Sequence, residues 1–129
     1  MEIGTKLRFL IPAAFVGLLA GAQGPPFACD RMALDPAARH RHFEVLGPEL
    51  RAMHRQIREL PGGFEFEFPA DLAAVQKIAE WAAGERLCCP FFDIDLRLPH
   101  DRGSLWLRLT GRSGVKEFIR ADFDRWFPQ

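Results

Sequence analysis

Three short stretches of this chain carry apolar residues at every second position, and no other feature constrains the fold as strongly. In the stretch 64–68, phenylalanines alternate with acidic residues, and the stretches 92–98 and 105–109 show the same rhythm. Successive side chains of a β-strand point to opposite faces, so each stretch predicts a strand with one buried and one wet face. Three such strands predict a three-stranded sheet that helices cover on one side only.

Apolar residues at helical spacing predict a long first helix. Asp35 followed by Pro36 is typical of a helix start, and Pro61-Gly62-Gly63 is typical of its end. Gly47-Pro48 interrupts the stretch, so we expect a kink there or two segments in line. The stripe is spaced by 3, 4, 3, 4 and 3 positions and consists of Phe43, Leu46, Leu50, Met53, Ile57 and Leu60.

Two further helices complete the predicted order. The second follows Pro69 and stops at Cys89 because Pro90 disfavours helical backbone before it. The last follows Gly114. The order is then helix, strand, helix, strand, strand, helix, which predicts an α+β two-layer sandwich. The inward residues are Leu72, Val75, Ile78, Ala79 and Ala82 in the second helix, and Val115, Phe118, Ile119, Phe123 and Trp126 in the last.

The last two strands are expected to form an antiparallel hairpin with a defined register. If their leucines share the core face, Arg97 lies opposite Trp106 and Asp95 lies opposite Arg108. The first pair predicts a cation–π contact and the second an exposed ion pair.

The N-terminus has the order of a secretory signal peptide. Lys6 and Arg8 precede an apolar run from 9 to 20, and small residues follow as far as Ala22. The run is too short to span a bilayer, which takes roughly 20 residues, so we expect no stable membrane insertion. We therefore predict a signal peptide at 1–22, a linker-like segment at 23–34 and a single α+β domain at 35–129. This predicts a periplasmic or secreted protein, and the alternative is a buried N-terminal helix in a cytoplasmic protein.

The charge balance argues against nucleic acid as a partner. The 129 residues include 17 basic and 17 acidic side chains, so the formal net charge is zero. Modules that bind phosphate backbones usually carry a basic excess. The charge balance does not exclude a protein as a partner, and the sequence does not identify one.

The three cysteines carry the most specific chemistry. Their spacing matches neither a zinc finger nor a thioredoxin-like Cys-x-x-Cys pair. Cys88 and Cys89 are adjacent, and consecutive Cα atoms lie about 3.8 Å apart, which is too close for an ordinary disulfide. The realistic covalent partner of either is Cys29, and we expect its sulfur near Cys88 or Cys89.

Three functions fit these cysteines. Glu85 precedes Cys88 and Cys89 by three and four positions, so a helix places its carboxylate beside the thiols. With Cys29, these residues predict a site for a thiophilic ion such as zinc, copper(I), mercury(II) or trivalent arsenic. The alternatives are a thiol redox protein or enzyme and a disulfide-stabilised structural or interaction domain. The C-terminal end of a helix carries partial negative charge and disfavours a thiolate, which argues against a reactive cysteine and makes an enzyme the less favoured interpretation.

The other polar residues give no comparable pattern. The four histidines (His40, His42, His54 and His100) show no metal-ligand spacing and are predicted on the surface. The acidic residues of the strands (Glu65, Glu67, Asp93 and Asp95) are predicted to be solvated.

One segment resembles a known group of proteins. The stretch 85–92, with its Glu-Arg-x-Cys-Cys-Pro-Phe motif, and the stretches 105–111 and 114–119 resemble small uncharacterised bacterial domains. These domains occur alone or behind regulators of the MerR heavy-metal-responsive type. The resemblance covers roughly residues 29–127 and implies metal or thiol chemistry by association.

Overall fold

Four antiparallel strands form one sheet in the computed structural model, which describes residues 27–101 and 103–129. The strands are β1 (Ile57–Leu60), β2 (Gly63–Phe68), β3 (Asp93–Arg97) and β4 (Leu105–Thr110). Their order across the sheet is β1-β2-β4-β3. The α+β class is confirmed, whereas the predicted three-stranded sheet and the predicted element order are wrong.

The helical segments are α1 (Pro36–His40), α2 (Gly47–Met53), α3 (Leu72–Cys88) and α4 (Val115–Asp122), with short 3-10 turns at Arg31–Ala33 and Asp124–Trp126. Asp35 caps α1 by accepting a hydrogen bond from the Ala38 amide at 2.9 Å. Asp71 caps α3 in the same way through the Ala74 amide.

A wide π-helical turn at Arg41–Leu46 joins α1 to α2. The Gly47 amide donates to the His42 carbonyl, five residues back, directly before Pro48. A proline has no amide to donate, so a wider turn at this point accommodates the break in the hydrogen-bond ladder. The kink or division expected at Gly47-Pro48 corresponds to the change from the π-helical turn, which ends at Leu46, to α2, which begins at Gly47; the backbone stays helical across this boundary.

The first helical run ends at Met53, so the prediction that it reaches Leu60 is wrong. Ile57 and Leu60 lie in β1, where they pair with Phe66 and Gly63 of β2. Two residues, Pro61 and Gly62, connect the strands. The helical spacing of the apolar residues continues through Ile57 and Leu60 by coincidence. A strand forms there because it pairs with the backbone N–H and C=O groups of β2 that would otherwise be free at the edge of the sheet.

The core lies between the sheet and the helices. The phenylalanines of β2 and the leucines of β4 pack in one cluster with Ile78 and Trp81 of α3 and with Ile119 of α4. The fully buried sheet residues are Phe64, Phe66, Phe68, Leu105, Leu107 and Leu109. The alternation predicts this buried face correctly for β2 and β4, although Glu65 and Trp106 on the opposite face are buried as well.

The prediction that the leucines of the stretch 92–98 face the core is wrong for Leu96 and Leu98, which are 39% and 55% exposed. The predicted inward positions Leu72 and Ala79 of α3 are also exposed.

The predicted β3–β4 register is confirmed, since Arg97 pairs with Trp106 and Asp95 pairs with Arg108. The two side-chain contacts expected from this register do not form, because Trp106 and Arg108 contact residues of other strands instead. The Arg58 guanidinium lies 4.0 Å from the centroid of the Trp106 ring. Arg58 lies in β1 and reaches the face of the sheet that carries Trp106. The sequence predicts a helix at this position, so the contact was not expected.

The expectation that the acidic residues of the strands are solvated is wrong for Glu65, which is only 4% exposed. Arg108 donates to Glu65 Oε2 at 2.7 Å, and Arg58 approaches its other oxygen at 3.8 Å. The registers align Arg58, Glu65, Arg108 and Asp95 in a row of alternating charge across all four strands. Neighbouring arginines therefore neutralise the buried carboxylate.

The predicted signal peptide at 1–22 lies outside the described residues. Within the predicted linker-like segment 23–34, Phe27 packs against Phe91 and Phe118, and Leu34 is buried. None of the helices in the described part of the chain has the length and apolar character needed to cross a membrane.

Candidate functional site: a buried cysteine, histidine and glutamate cluster

The C-terminal end of α3 places three of the predicted site residues together. Glu85 and Cys88 lie one turn apart on the helix, and the Cys89 amide donates to the Glu85 carbonyl at 2.8 Å. Cys89 then leaves helical geometry, and Pro90 follows. All three side chains are buried. The expectation that Glu85 lies on the same side of the helix as the thiols is met.

Cys29 is joined to Cys89 by a disulfide, with 4.5 Å between their Cα atoms. The Asp30 amide also donates to the Cys88 carbonyl at 2.7 Å, which ties the N-terminal segment to the end of α3. The prediction that the Cys29 sulfur lies near one of the adjacent cysteines is therefore confirmed. Cys88 keeps a free, buried thiol.

His42 is the site residue that sequence reasoning missed. The prediction that it lies on the surface is wrong, because its side chain is 4% exposed and its Nε2 lies 2.9 Å from Glu85 Oε2. The imidazole stacks on Trp81 at a centroid distance of 5.6 Å. A Cβ on Gly84 would lie 2.6 Å from His42 Nδ1, so only glycine leaves room for the ring. A glycine inside an otherwise good helix was the available signal.

The other histidines do not join the cluster. His54 is half-buried, with its Nδ1 2.6 Å from the Arg51 carbonyl oxygen, and its ring lies 5.3 Å from Trp126. His40 and His100 are exposed, as predicted.

The Cys88 sulfur lies at the centre of the cluster. It is 3.7 Å from Glu85 Oε2, 3.8 Å from Cys89 Sγ and 3.9 Å from His42 Nε2. Burial, and then the negative charge of Glu85, raise the pKa of the Cys88 thiol to about 12. Near neutral pH this sulfur is therefore a protonated thiol that donates toward the carboxylate.

Two sets of donor atoms could hold a metal ion. One consists of His42, Glu85 and Cys88, and the other of Cys29, Glu85 and Cys89. Within each set, one atom of each side chain lies within 4.8 Å of the others. Glu85 belongs to both sets, so they are contiguous. Cys29 and Cys89 are bonded to each other, so Cys88 is the only thiol donor of the cluster while the disulfide is intact.

A cleft of about 650 Å³ opens beside the disulfide. Its walls include Cys29, Cys89, Glu85 and His42. Burial, together with the charge of Glu85, raises the pKa of Asp122, which lines the same cleft. The cleft gives solvent and small solutes a path to the half-buried Cys29.

Comparison with known proteins adds no relative. No family model, curated protein or solved structure matches this chain.

Proposed function

We propose that this protein is a binding module for a thiophilic divalent cation, with zinc as the best fit, and that reduction of the Cys29–Cys89 disulfide completes the site. The donors are His42 Nε2, Glu85 Oε2, Cys88 Sγ and, once reduced, Cys89 Sγ. A set of one imidazole, one carboxylate and two thiolates suits a borderline ion such as zinc better than copper(I), mercury(II) or trivalent arsenic, which prefer sulfur alone.

The spacing of the donor atoms carries this proposal. In a tetrahedral site with Zn–S bonds of about 2.3 Å, two sulfurs lie about 3.8 Å apart, and a sulfur and an imidazole nitrogen about 3.5 Å apart. The Cys88–Cys89 sulfur distance is 3.8 Å, and the Cys88–His42 distance is 3.9 Å. These two edges are close to those of such a tetrahedron. His42 Nε2 lies 2.9 Å from Glu85 Oε2, which is a hydrogen-bond distance, and Cys89 belongs to a different set of neighbouring donors from His42. Zinc binding therefore requires Cys89 to move toward the other three donors once it is reduced, and His42 and Glu85 to separate slightly.

Electrostatics supports a cation at this position. Glu85 is buried and negatively charged when ionised, and it opposes ionisation of the Cys88 thiol. A divalent ion reverses that relation, because it stabilises the carboxylate and the thiolate together. Binding by the reduced protein then releases the protons of Cys88 and Cys89.

The same electrostatics argues against a thiol enzyme, the second class of function that the sequence allows. A nucleophilic cysteine needs a lowered pKa, and that of Cys88 is raised to about 12.

The disulfide is open to reduction from one side, because the half-buried Cys29 faces the cleft, whereas Cys89 is 1% exposed. An external thiol would therefore attack Cys29, releasing Cys89. A second external thiol then takes the first one from Cys29, which leaves two protein thiols and one external disulfide.

The test is zinc titration of the oxidised and the reduced protein against a chromophoric chelator. The reduced protein should bind one equivalent, and the oxidised protein should bind at least about 100-fold more weakly because a sulfur donor is missing. Cobalt(II) in place of zinc should give the absorption of a tetrahedral ion with thiolate ligands. Equal affinity of the two redox forms, or no binding by either, would refute the proposal.

Cys29→Ser is the matched variant. It frees Cys89 without removing a proposed donor, so it should bind zinc without reductant. Cys88→Ser and His42→Ala each remove a donor, and each should weaken binding by the reduced protein by about 10-fold or more. If Cys29→Ser binds no zinc, Cys29 itself is a donor and the proposed donor set is wrong.

Export and family relationship belong to this proposal. A signal peptide at 1–22 would deliver the domain to an oxidising compartment, where the site would bind zinc only while an external thiol keeps the disulfide reduced. The resemblance to domains found behind MerR-type regulators supports metal chemistry by association. Intact-mass measurement after bacterial expression tests export, with cleavage expected between Ala22 and Gln23.

A further inference from the structure

Strand β3 forms one edge of the sheet and pairs only with β4 among the described strands. Apart from that ladder, no backbone hydrogen bond within 27–101 and 103–129 reaches residues 93–97. An edge strand with free backbone groups is a template for pairing with another strand.

The apolar face of β3 extends beyond the core. Ile94 packs against the core, but Leu96 is 39% exposed and Leu98 is 55% exposed. These residues follow one another at intervals of two, so they continue the apolar side of the sheet to its edge. The described helices of the same chain leave both leucines largely uncovered.

The sequence of this edge is complementary to itself in one antiparallel register. If two copies pair with Leu96 opposite Leu96, Asp95 of each copy faces Arg97 of the other, and Ile94 faces Leu98. The register centred on Asp95 places that carboxylate opposite itself. The register centred on Ile94 places Asp93 opposite Asp95. Of these three registers, the one centred on Leu96 is therefore the one in which both the charges and the apolar residues match.

We propose that two copies of this chain associate through β3, antiparallel and centred on Leu96, and join their sheets into one of eight strands. The interface is isologous, because both copies contribute the same strand: Leu96 meets its own copy at the two-fold axis, and every other pair occurs twice. Two Asp95–Arg97 ion pairs on the polar face set the register. On the apolar face of the joined sheet, the second copy covers Leu96 and Leu98, which are exposed in the single chain. This inference does not depend on the proposed zinc site.

Analytical ultracentrifugation of the full chain over a concentration series, up to about 0.5 mM, tests the dimer. Asp95→Arg and Arg97→Asp should each raise the dimer dissociation constant at least about tenfold, because each replaces two attractive pairs with two repulsive ones. The double variant restores the pairs in reverse and should return the constant to within about threefold of the wild-type value.

Leu98→Lys provides an independent check, since Leu98 lies outside β3 and is exposed, and its replacement should not disturb folding. It should weaken the dimer at least about tenfold by removing both Ile94–Leu98 contacts. A monomer at every concentration would overturn the proposal. So would a dimer that tolerates all three single changes, or one that the double charge reversal fails to restore.

Discussion

Loss of the Cys29–Cys89 disulfide should lower the stability of the folded protein by several kcal/mol. The bond closes a loop with a sequence separation of 60 residues. In the chain-entropy treatment, closing a loop of this length lowers the free energy of folding by about 4 kcal/mol at 25 °C, because the unfolded chain loses that freedom. After reduction, only the non-covalent contacts of Phe27 and Asp30 would keep the N-terminal segment against the rest of the domain.

Urea unfolding measures this effect, with tryptophan fluorescence as the signal. Trp81 and Trp106 are buried and Trp126 is half-buried, so unfolding exposes all three. Oxidised and reduced protein are compared in the presence of a metal chelator, so that zinc does not offset the loss. With a slope of about 1–2 kcal/mol per M, the midpoint should fall by about 2–4 M on reduction.

Cys29→Ser is again the control. It should unfold near the midpoint of the reduced wild-type protein and should not respond to reductant. A difference below about 1 kcal/mol between oxidised and reduced wild type would refute the loop-closure reasoning, since it would mean that the unfolded chain does not gain the expected freedom.

Three further perturbations test the buried polar groups. Because the pKa of Cys88 is about 12 in the folded protein and ordinarily about 9, unfolding lets this thiol ionise. Stability should therefore fall as pH rises from about 9 toward 12, by at most about 1.4 kcal/mol per pH unit, and urea titrations of Cys88→Ala should lack this component. Gly84→Ala should lower the melting temperature, because displacing buried His42 costs about 1–3 kcal/mol and outweighs a helix-propensity gain of up to about 1 kcal/mol; an unchanged or higher value would contradict the clash. Arg108→Ala should cost about 2 kcal/mol by urea unfolding, because buried Glu65 loses its 2.7 Å partner, and adding Glu65→Gln should recover part of that loss; a loss below about 0.5 kcal/mol would mean that Arg58 suffices alone.

Patterns of residues that are close in sequence are enough to predict some of the strands and helix caps. The alternation at 64–68 and 105–109 identifies β2 and β4, and it sets the β3–β4 register correctly. The caps at Asp35 and Asp71 sit where a side-chain oxygen can accept from the first free amides of a helix. Each of these features depends on residues a few positions apart, so the sequence displays it directly.

The first helix shows where local patterns fail. Ile57 and Leu60 fit a helical stripe, and the same two residues serve equally well in a short strand. The choice between them depends on whether β2 has a free edge to pair with, which is a property of the assembled sheet. The prediction for Glu65 is wrong for the same reason, because its burial depends on arginines from β1 and β4.

The candidate site divides in the same way. Helical spacing alone places Glu85 beside Cys88 and Cys89, and elimination leaves Cys29 as the realistic disulfide partner. The choice of Cys89 over Cys88 required the three-dimensional path of the N-terminal segment across the end of α3. His42 lies 43 positions from Glu85 and meets it only because the π-helical turn packs against α3 at Gly84. Contacts between elements distant in sequence depend on how the helices pack, and that packing was decided only by the tertiary structure.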